Sequence, residues 1–248
     1  MTPTTTLDDN GFRIRGGQPT RTDAFVDAAF AFAVTLLVIA IGHVPASVGD
    51  LVQALRGVPA FAASFFVIAR FWQSHRHWSR RYGIEDAYSV RLSLGLVFIV
   101  LVYVYPLRMV AALTFSVLSG GAFTEGAMRI GTVDELQTLY IVFGLGYGAA
   151  AIVFYLLYRH ALTLADAIGL SVAERIRTRT VMMRWRIVTC VALLSAVLAL
   201  VLPMGRERVV PLDTVPGLIY LSIFVAVTVL RRRERAALAA AGAPEAAR

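Results

Sequence analysis

The sequence contains no lysine, a single cysteine and few charged residues for its length. All 24 basic residues among the 248 are arginine, against 16 acidic residues, and only 16% of the chain is charged. The single thiol, Cys190, excludes an internal disulfide and a metal site built from several cysteines. With 58% hydrophobic residues, the composition also excludes an ordinary soluble domain, where that share is about 45–50%.

Apolar runs take up most of the chain, and the arginines lie between them. This placement argues against nucleic-acid binding and is typical of membrane topology. Because a bilayer needs about 20 apolar residues per helix, the sequence predicts an all-α membrane protein with six transmembrane helices. The predicted spans are approximately Thr20–Ile41, Leu51–Phe71, Tyr88–Val117, Leu136–Tyr158, Ile187–Leu202 and Thr214–Leu230.

Polar segments flank this predicted membrane domain, which covers residues 20–231. Residues 1–19 are glycine-containing and polar, and we expect a flexible cytoplasmic tail there. Residues 232–248 are predicted to form a cytoplasmic C-terminal tail. No short charged segment followed by an apolar run and a small-residue cleavage site is present, so we expect no removable signal peptide.

The arginines are divided unequally between the two sides of the predicted membrane domain. Three lie before or at the start of span 1, four at the end of span 2 and in the connection to span 3, six between spans 4 and 5 and five after span 6. The opposite connections hold Arg129, Arg206 and Arg208. Since basic residues accumulate in cytoplasmic loops, eighteen arginines against three predict that both termini are cytoplasmic.

The first span combines a costly carboxylate with two different stripes. Asp27 lies one turn inside the helix, where an ionised side chain is expensive to bury and therefore marks a candidate site. Thr20 and Asp23 have the spacing of a capping box at the helix start. One stripe consists of small residues and permits another helix to approach closely: Ala24, Ala28, Ala31 and Thr35. A neighbouring stripe is bulky and apolar: Phe32, Leu36 and Ile39. We expect this helix to line a pore.

Several polar side chains fall at the same membrane depth under this topology. Span 1 begins, span 2 ends and span 3 begins on one side, which places Arg21, Asp27, Trp72, His75 and Ser93 at one level. These groups can satisfy one another where unpaired polar atoms are costly. Such a cluster would fix the rotation of span 1 and so decide which stripe faces a central pathway.

Enzyme signatures are missing from the sequence. His75 and His77 are two residues apart and share no helix face, and no acid completes a zinc site of the H-E-x-x-H type. There is no G-x-S-x-G motif and no pair of intramembrane carboxylates, so we expect neither an enzyme nor a metal site. The spacing Gly144-x-x-x-Gly148 is a small-residue packing face, most often used for contact within one chain.

Three motifs resemble one known family. Arg21-x-x-x-Phe25-Val26-Asp27 is similar to the R-x-x-x-F-S-D hallmark on the first helix of the transmembrane protein 175 family, the lysosomal potassium channel family with bacterial members. Val26 replaces the serine of that motif. Trp72 and His75 match a second-helix tryptophan and histidine that bond to the first-helix motif, and Ser93 aligns where the family often has asparagine.

The resemblance implies a potassium-permeable, leak-type cation channel without a cofactor. Bacterial members are homotetramers with six helices per chain, and their first helices surround a pore closed by bulky apolar side chains. The constriction maps to Phe32, Thr35 and Ile39, with Leu36 beside them, and Phe32 is larger than the isoleucine or leucine common there. The anchor of this helix maps to Arg21, Phe25, Asp27, Trp72, His75 and Ser93. The expected location is the cell (inner) membrane, in contact with lipid.

Two other functions are compatible with the residues alone. A lone intramembrane acid such as Asp27 could carry protons in a coupled or other secondary transporter, although no inverted repeat relates spans 1–3 to spans 4–6. A membrane scaffold that conducts no ion is the second alternative. The expected preference for potassium follows from the family resemblance alone. The chain itself has no T-V-G-Y-G filter sequence from which potassium selectivity could be inferred.

Overall fold

The computed structural model is built from α-helices joined by short connections. It describes residues 7–8, 11–40, 45–124, 132–202 and 210–242. The helices are α1 (Arg21–Ile39), α2 (Val48–Arg56), α3 (Val58–Tyr82), α4 (Ala87–Leu118), α5 (Val133–Thr163), α6 (Val172–Val201), α7 (Val210–Leu218) and α8 (Ser222–Ala240), with a 3₁₀ turn at Ile219–Leu221.

The long apolar helices define the membrane domain. Within the described ranges, five helical segments are long and apolar enough to cross a bilayer: α1, α4, α5, α6 and Thr214–Ala240. The pair α2 and α3, bent by 46° at the break between them, makes a sixth if it counts as one broken span. The prediction of an all-helical membrane protein is therefore confirmed, with five or six spans.

Two helices continue well beyond their apolar parts, into residues 159–186 between the predicted spans 4 and 5. The arginines there indicate a basic connection that is helical in part, and the structure shows how much of it is helix: α5 continues to Thr163 and α6 begins at Val172. Ser171 and Glu174 form a capping box that starts α6, and arginine is a good helix former. The connection proper is limited to residues 164–171, and the arginine-rich turns extend the helices past the apolar core.

The arginine-rich segments meet at one end of the bundle. Arg15 of the N-terminal segment contacts Glu174 at the start of α6, and Arg81 at the end of α3 contacts Asp8. These contacts agree with the grouping of arginines used for the topology. Ile41, the predicted end of span 1, and the three arginines of the opposite side, Arg129, Arg206 and Arg208, lie outside the described residues.

The antiparallel helices α5 and α6 form the most closely packed pair. A Cβ atom on Gly144 would lie 2.6 Å from the carbonyl oxygen of Ala192, so only glycine permits this approach. Gly148, one turn further, faces the side chains of Ala192 and Leu193. The prediction that these two glycines form a packing face within the chain is confirmed.

Helix α1 lies against α3 and α4 on one side of this core. Four of its side chains, Val26, Phe30, Ala33 and Leu37, are buried with at most 3% of their surface exposed. Their spacing of four, three and four residues places them on one helix face. That buried face fixes which residues α1 presents on its opposite side.

Candidate functional site

The start of α1 is set by a reciprocal cap. The backbone N–H of Asp23 donates to Thr20 Oγ1 at 3.1 Å, and the Thr20 N–H donates to Asp23 Oδ2 at 3.0 Å. The predicted capping box is confirmed. The cap satisfies backbone N–H donors that a helix start would otherwise leave unpaired. It therefore fixes the residue at which α1 begins, and with it the helical register of the residues further along α1.

The face of α1 opposite its buried stripe is open. Phe32 is 54% exposed and Ile39 is 59% exposed, and Thr35 between them is exposed as well. The small residues Ala28 and Ala31 are also exposed there. Leu36, at the edge of this face, is partly buried against the core. Within the described part of the single chain, therefore, no helix covers Phe32, Thr35 and Ile39.

Thr35 presents an oxygen on this open face. Its hydroxyl donates to the carbonyl oxygen of Ala31 at 3.1 Å, the preceding turn of the same helix. A threonine oxygen that donates its hydrogen to the backbone keeps lone pairs that can accept from another group. Thr35 can therefore offer oxygen lone pairs to a cation or to water at the level between Phe32 and Ile39.

Asp27 is joined to α3 by a short hydrogen bond. The indole nitrogen Nε1 of Trp72 donates to Asp27 Oδ1 at 2.6 Å. A bond to an ionised acceptor is shorter and stronger than one between neutral groups. Asp27 lies between the buried and the open faces of α1, and this bond joins that side of the helix to α3.

A second polar pair lies beside the first, between α3 and α4. His75 Nε2 is 2.9 Å from Ser93 Oγ, and both residues are buried, with 3% and 2% exposed. His75 also lines a cavity of about 260 Å³ together with Asp23 and Asp27 of α1. The sequence placed these groups at one depth, and the structure brings them together as two neighbouring pairs rather than one network.

Arg21 and Phe25 take a different position from the other residues of the predicted anchor. Both are exposed, and their spacing to Phe32 and Ile39 places them on the open face of α1. Val26, which stands where the family motif has serine, is fully buried. A valine at that position contributes packing against the core in place of a hydroxyl group.

The N-terminal segment is a part of the structure that the sequence analysis missed. Residues 1–19 were expected to form a flexible tail, but residues 11–16 pack on the ends of α3 and α6. Phe12 is 1% exposed, lies edge-on to Tyr82 with ring centroids 6.2 Å apart, and carries the Arg81 guanidinium over its ring at 4.3 Å. The expectation of a tail does not hold for these described residues, because one aromatic side chain in a polar segment is buried.

Arg15 holds this segment to the α5–α6 connection. Its guanidinium donates to both carboxylate oxygens of Glu174 at 2.8 Å and to the carbonyl oxygens of Ile168 and Gly169. Such a bidentate pair is geometrically specific. Since α1 begins only a few residues after Arg15, the start of the open helix is tied to α6. In the sequence, the aromatic residue Phe12 within an otherwise polar segment was the signal that this segment packs against the helices.

The start of α4 and the end of α5 are linked by a hydrogen bond at the same end of the bundle. His160 Nε2 lies 2.6 Å from Asp86 Oδ2, and the Ser89 N–H donates to Asp86 Oδ1 at 2.8 Å. Burial by itself would raise the pKa of Asp86, but the hydrogen bonds from Ser89 and His160 outweigh it and lower that pKa. The carboxylate therefore stays ionised and keeps α4 capped at neutral pH.

These features define an α-helical, multi-pass membrane protein whose first helix is anchored on one side and open on the other. Residues 21–106 match the family described as endosomal/lysosomal potassium channel TMEM175. A potassium channel of Marivirga tractuosa is 32% identical over 218 residues, which are 86% of this chain and 88% of that protein. The chain therefore belongs to the TMEM175 potassium channel family.

A solved structure agrees with this assignment. A variant of the potassium channel MtTMEM175, crystallised with a nanobody–MBP fusion protein, superposes with a TM-score of 0.77 at 30% identity. The match covers 92% of this chain and 98% of that one. The resemblance found in the sequence is confirmed. Membership in an ion channel family also confirms the expectation that the chain is not an enzyme.

Proposed function

We propose that four copies of this chain surround a potassium-permeable, leak-type pore lined by α1. The observation that carries this proposal is the open face of α1, with Phe32, Thr35 and Ile39 exposed opposite a fully buried stripe. Lipid is a poor partner for such a face, because Thr35 and Arg21 are polar and intramembrane polar groups turn toward protein or water. A water-filled axis between neighbouring copies is a more favourable environment for this face of α1.

A closed ring of four copies would cover the rest of this face. The small side chains of Ala24, Ala28 and Ala31 permit the backbones of neighbouring α1 helices to approach one another. Cyclic symmetry then places each pore residue four times at one level. The family's potassium channels and the potassium channel named in Marivirga tractuosa support potassium as the permeant ion.

The pore residues divide the conduction pathway into two kinds of surface. Rings of Phe32 and Ile39 form apolar constrictions, which close a channel by excluding water. The Thr35 ring between them supplies oxygen lone pairs to a partly dehydrated cation, and Leu36 lines the edge of the pathway while packing on the core. Opening requires that α1 rotate or move outward from the axis.

Asp27, Trp72, His75 and Ser93 act in this proposal as the anchor of α1. Their two hydrogen-bonded pairs hold the helix orientation against α3 and α4. Arg21 and Phe25, which are exposed in the single chain, complete the anchor through contacts with a neighbouring copy. Because the Asp27 carboxylate already accepts a 2.6 Å bond, an anchoring role suits it better than proton transport.

The same proposal includes the location and orientation of the protein. The chain is a multi-pass membrane protein, and the bacterial relative supports the cell (inner) membrane. Both termini lie in the cytoplasm, as the unequal division of arginines indicates. The arginine-rich ends of α3, α6 and α8 then face the cytoplasm together.

Purified protein in proteoliposomes tests the proposal directly. We expect a potassium gradient to drive flux without an added stimulus, potassium to pass faster than sodium, and native mass spectrometry to give four chains per particle. A particle of two chains would contradict the proposed ring. Absence of flux for any small cation from a correctly assembled tetramer would favour the scaffold alternative.

A further inference from the structure

A basic cavity lies between the N-terminal segment, α3, α5, α6 and α8, and no residue of α1 lines it within the described part of the chain. Its volume is about 420 Å³. The wall contains one carboxylate, Glu234, within the part of the chain that the structure describes. Six arginines line it: Arg70, Arg81, Arg177, Arg184, Arg231 and Arg235.

Positive charge predominates among the described residues that line this cavity. Glu234 is the carboxylate among them, and Asp8 contacts Arg81 at 2.7 Å. Arginine side chains stay protonated at any physiological pH, so they cannot relieve mutual repulsion by losing a proton. An anion bound among them would offset that repulsion.

The arginines that line the cavity lie on one face of each helix, and other arginines of the same helices lie outside it. Basic residues that only flank a membrane span need no such arrangement. On α6, Arg177 and Arg184 are seven residues apart and line the cavity, while Arg179 and Arg186, also seven apart, are exposed outside it. On α8, Arg231 and Arg235 line the cavity, and the neighbouring Arg232 does not. Two helices thus direct matched pairs of guanidinium groups into one space.

An apolar groove adjoins the basic cavity. This second cavity, of about 540 Å³, runs along α3 and shares Arg70 with the first. Its wall includes Phe66, which is 68% exposed, and Tyr147. The shared arginine lines the basic cavity together with Arg231, where the apolar run of α8 ends. Arginines at the end of an apolar run are typical of the level of lipid headgroups.

We propose that this site binds the phosphate headgroup of an anionic phospholipid, with an acyl chain in the groove along α3. Guanidinium groups recognise phosphate oxygens through paired hydrogen bonds. Basic pockets between membrane helices on the cytoplasmic side are the arrangement that binds such headgroups. The adjoining groove explains why the ligand is a lipid rather than a free phosphate ion.

Matched charge variants of the assembled protein in detergent test the proposal. Thermal unfolding is measured with added phosphatidylglycerol, phosphatidylcholine or inorganic phosphate. We expect phosphatidylglycerol alone to raise the unfolding temperature, and the Arg184→Gln/Arg235→Gln pair to weaken its apparent affinity about tenfold or more. The control pair Arg186→Gln/Arg232→Gln removes the same charge from the same helices outside the cavity and should keep the effect.

Other outcomes would overturn the site. Equal loss of affinity in both double variants would mean that general surface charge attracts the lipid. A full shift with inorganic phosphate would identify a free ion as the ligand, and equal shifts with both lipids would remove the role of charge. If the Arg184→Gln/Arg235→Gln variant does not fold, Glu234→Gln provides the test. Removing this carboxylate should strengthen phosphatidylglycerol binding, because a negative charge in the cavity wall is lost. Weaker binding would contradict the proposal.

Discussion

Replacing Phe32 with alanine is expected to raise potassium flux about tenfold and to reduce the preference for potassium over sodium. A tenfold change corresponds to lowering the barrier by about 1.4 kcal/mol. In the proposed tetramer, four phenylalanine rings at one level would exclude water from the axis, and alanine would leave space for a hydrated ion. The measurement is cation flux from proteoliposomes at matched protein content.

Phe224→Ala provides the matched control for this prediction. Phe224 lies on α8 and is 74% exposed in the single chain, against 54% for Phe32, so the same atoms are removed from a similarly open position. This control should leave flux and ion preference unchanged. If Phe32→Ala behaves like Phe224→Ala, the constriction does not lie at Phe32.

Loss of the bond between α1 and α3 is expected to have the second large effect. Trp72→Phe keeps an aromatic ring but removes the donor to Asp27, at a cost of about 1.5 kcal/mol for a hydrogen bond to a charged acceptor. Each copy in the proposed ring suffers the same loss. We expect a lower unfolding temperature and strongly reduced flux, because α1 no longer holds a fixed rotation.

Variants of the acceptor separate an anchor from a proton carrier. Asp27→Asn retains a carbonyl oxygen that accepts from the indole, so it should keep most of the flux, whereas Asp27→Ala should resemble Trp72→Phe. The double variant Asp27→Ala/Trp72→Phe should cost less than the sum of the single changes, since both remove one bond. Flux abolished by Asp27→Asn in an intact assembly would instead indicate proton-coupled transport.

The sequence was most informative about the first helices, where several short-range patterns agree. Apolar runs predicted the helical membrane fold, and the spacing of Thr20 and Asp23 predicted the cap that the structure contains. The chain topology also placed Trp72 level with Asp27. It did not show that His75 pairs with Ser93 instead of the carboxylate, because the choice between neighbours depends on helix rotation within the bundle.

Long-range packing was the part that sequence patterns did not predict. The contact of Arg15 with Glu174 joins residues 159 positions apart, and the polar segment around Arg15 has no periodicity that indicates a partner. The length of α6 was missed for a related reason. Its first turns are rich in arginine, and their low hydropathy placed them outside the predicted span 5. In the structure these turns are helical, and two of their arginines line the basic cavity.

Thiol accessibility at Thr35 tests most directly whether α1 lines the conduction pathway. Cys190, the natural cysteine, is exposed and is first replaced by alanine; Thr35→Cys or the control Val225→Cys, 67% exposed on α8, is then introduced. A charged thiol reagent reacts with thiols that water reaches. We predict that it blocks potassium flux through the Thr35→Cys channel and leaves the Val225→Cys channel unaffected. Unchanged flux through the Thr35→Cys channel after complete labelling would contradict a pore lined by α1.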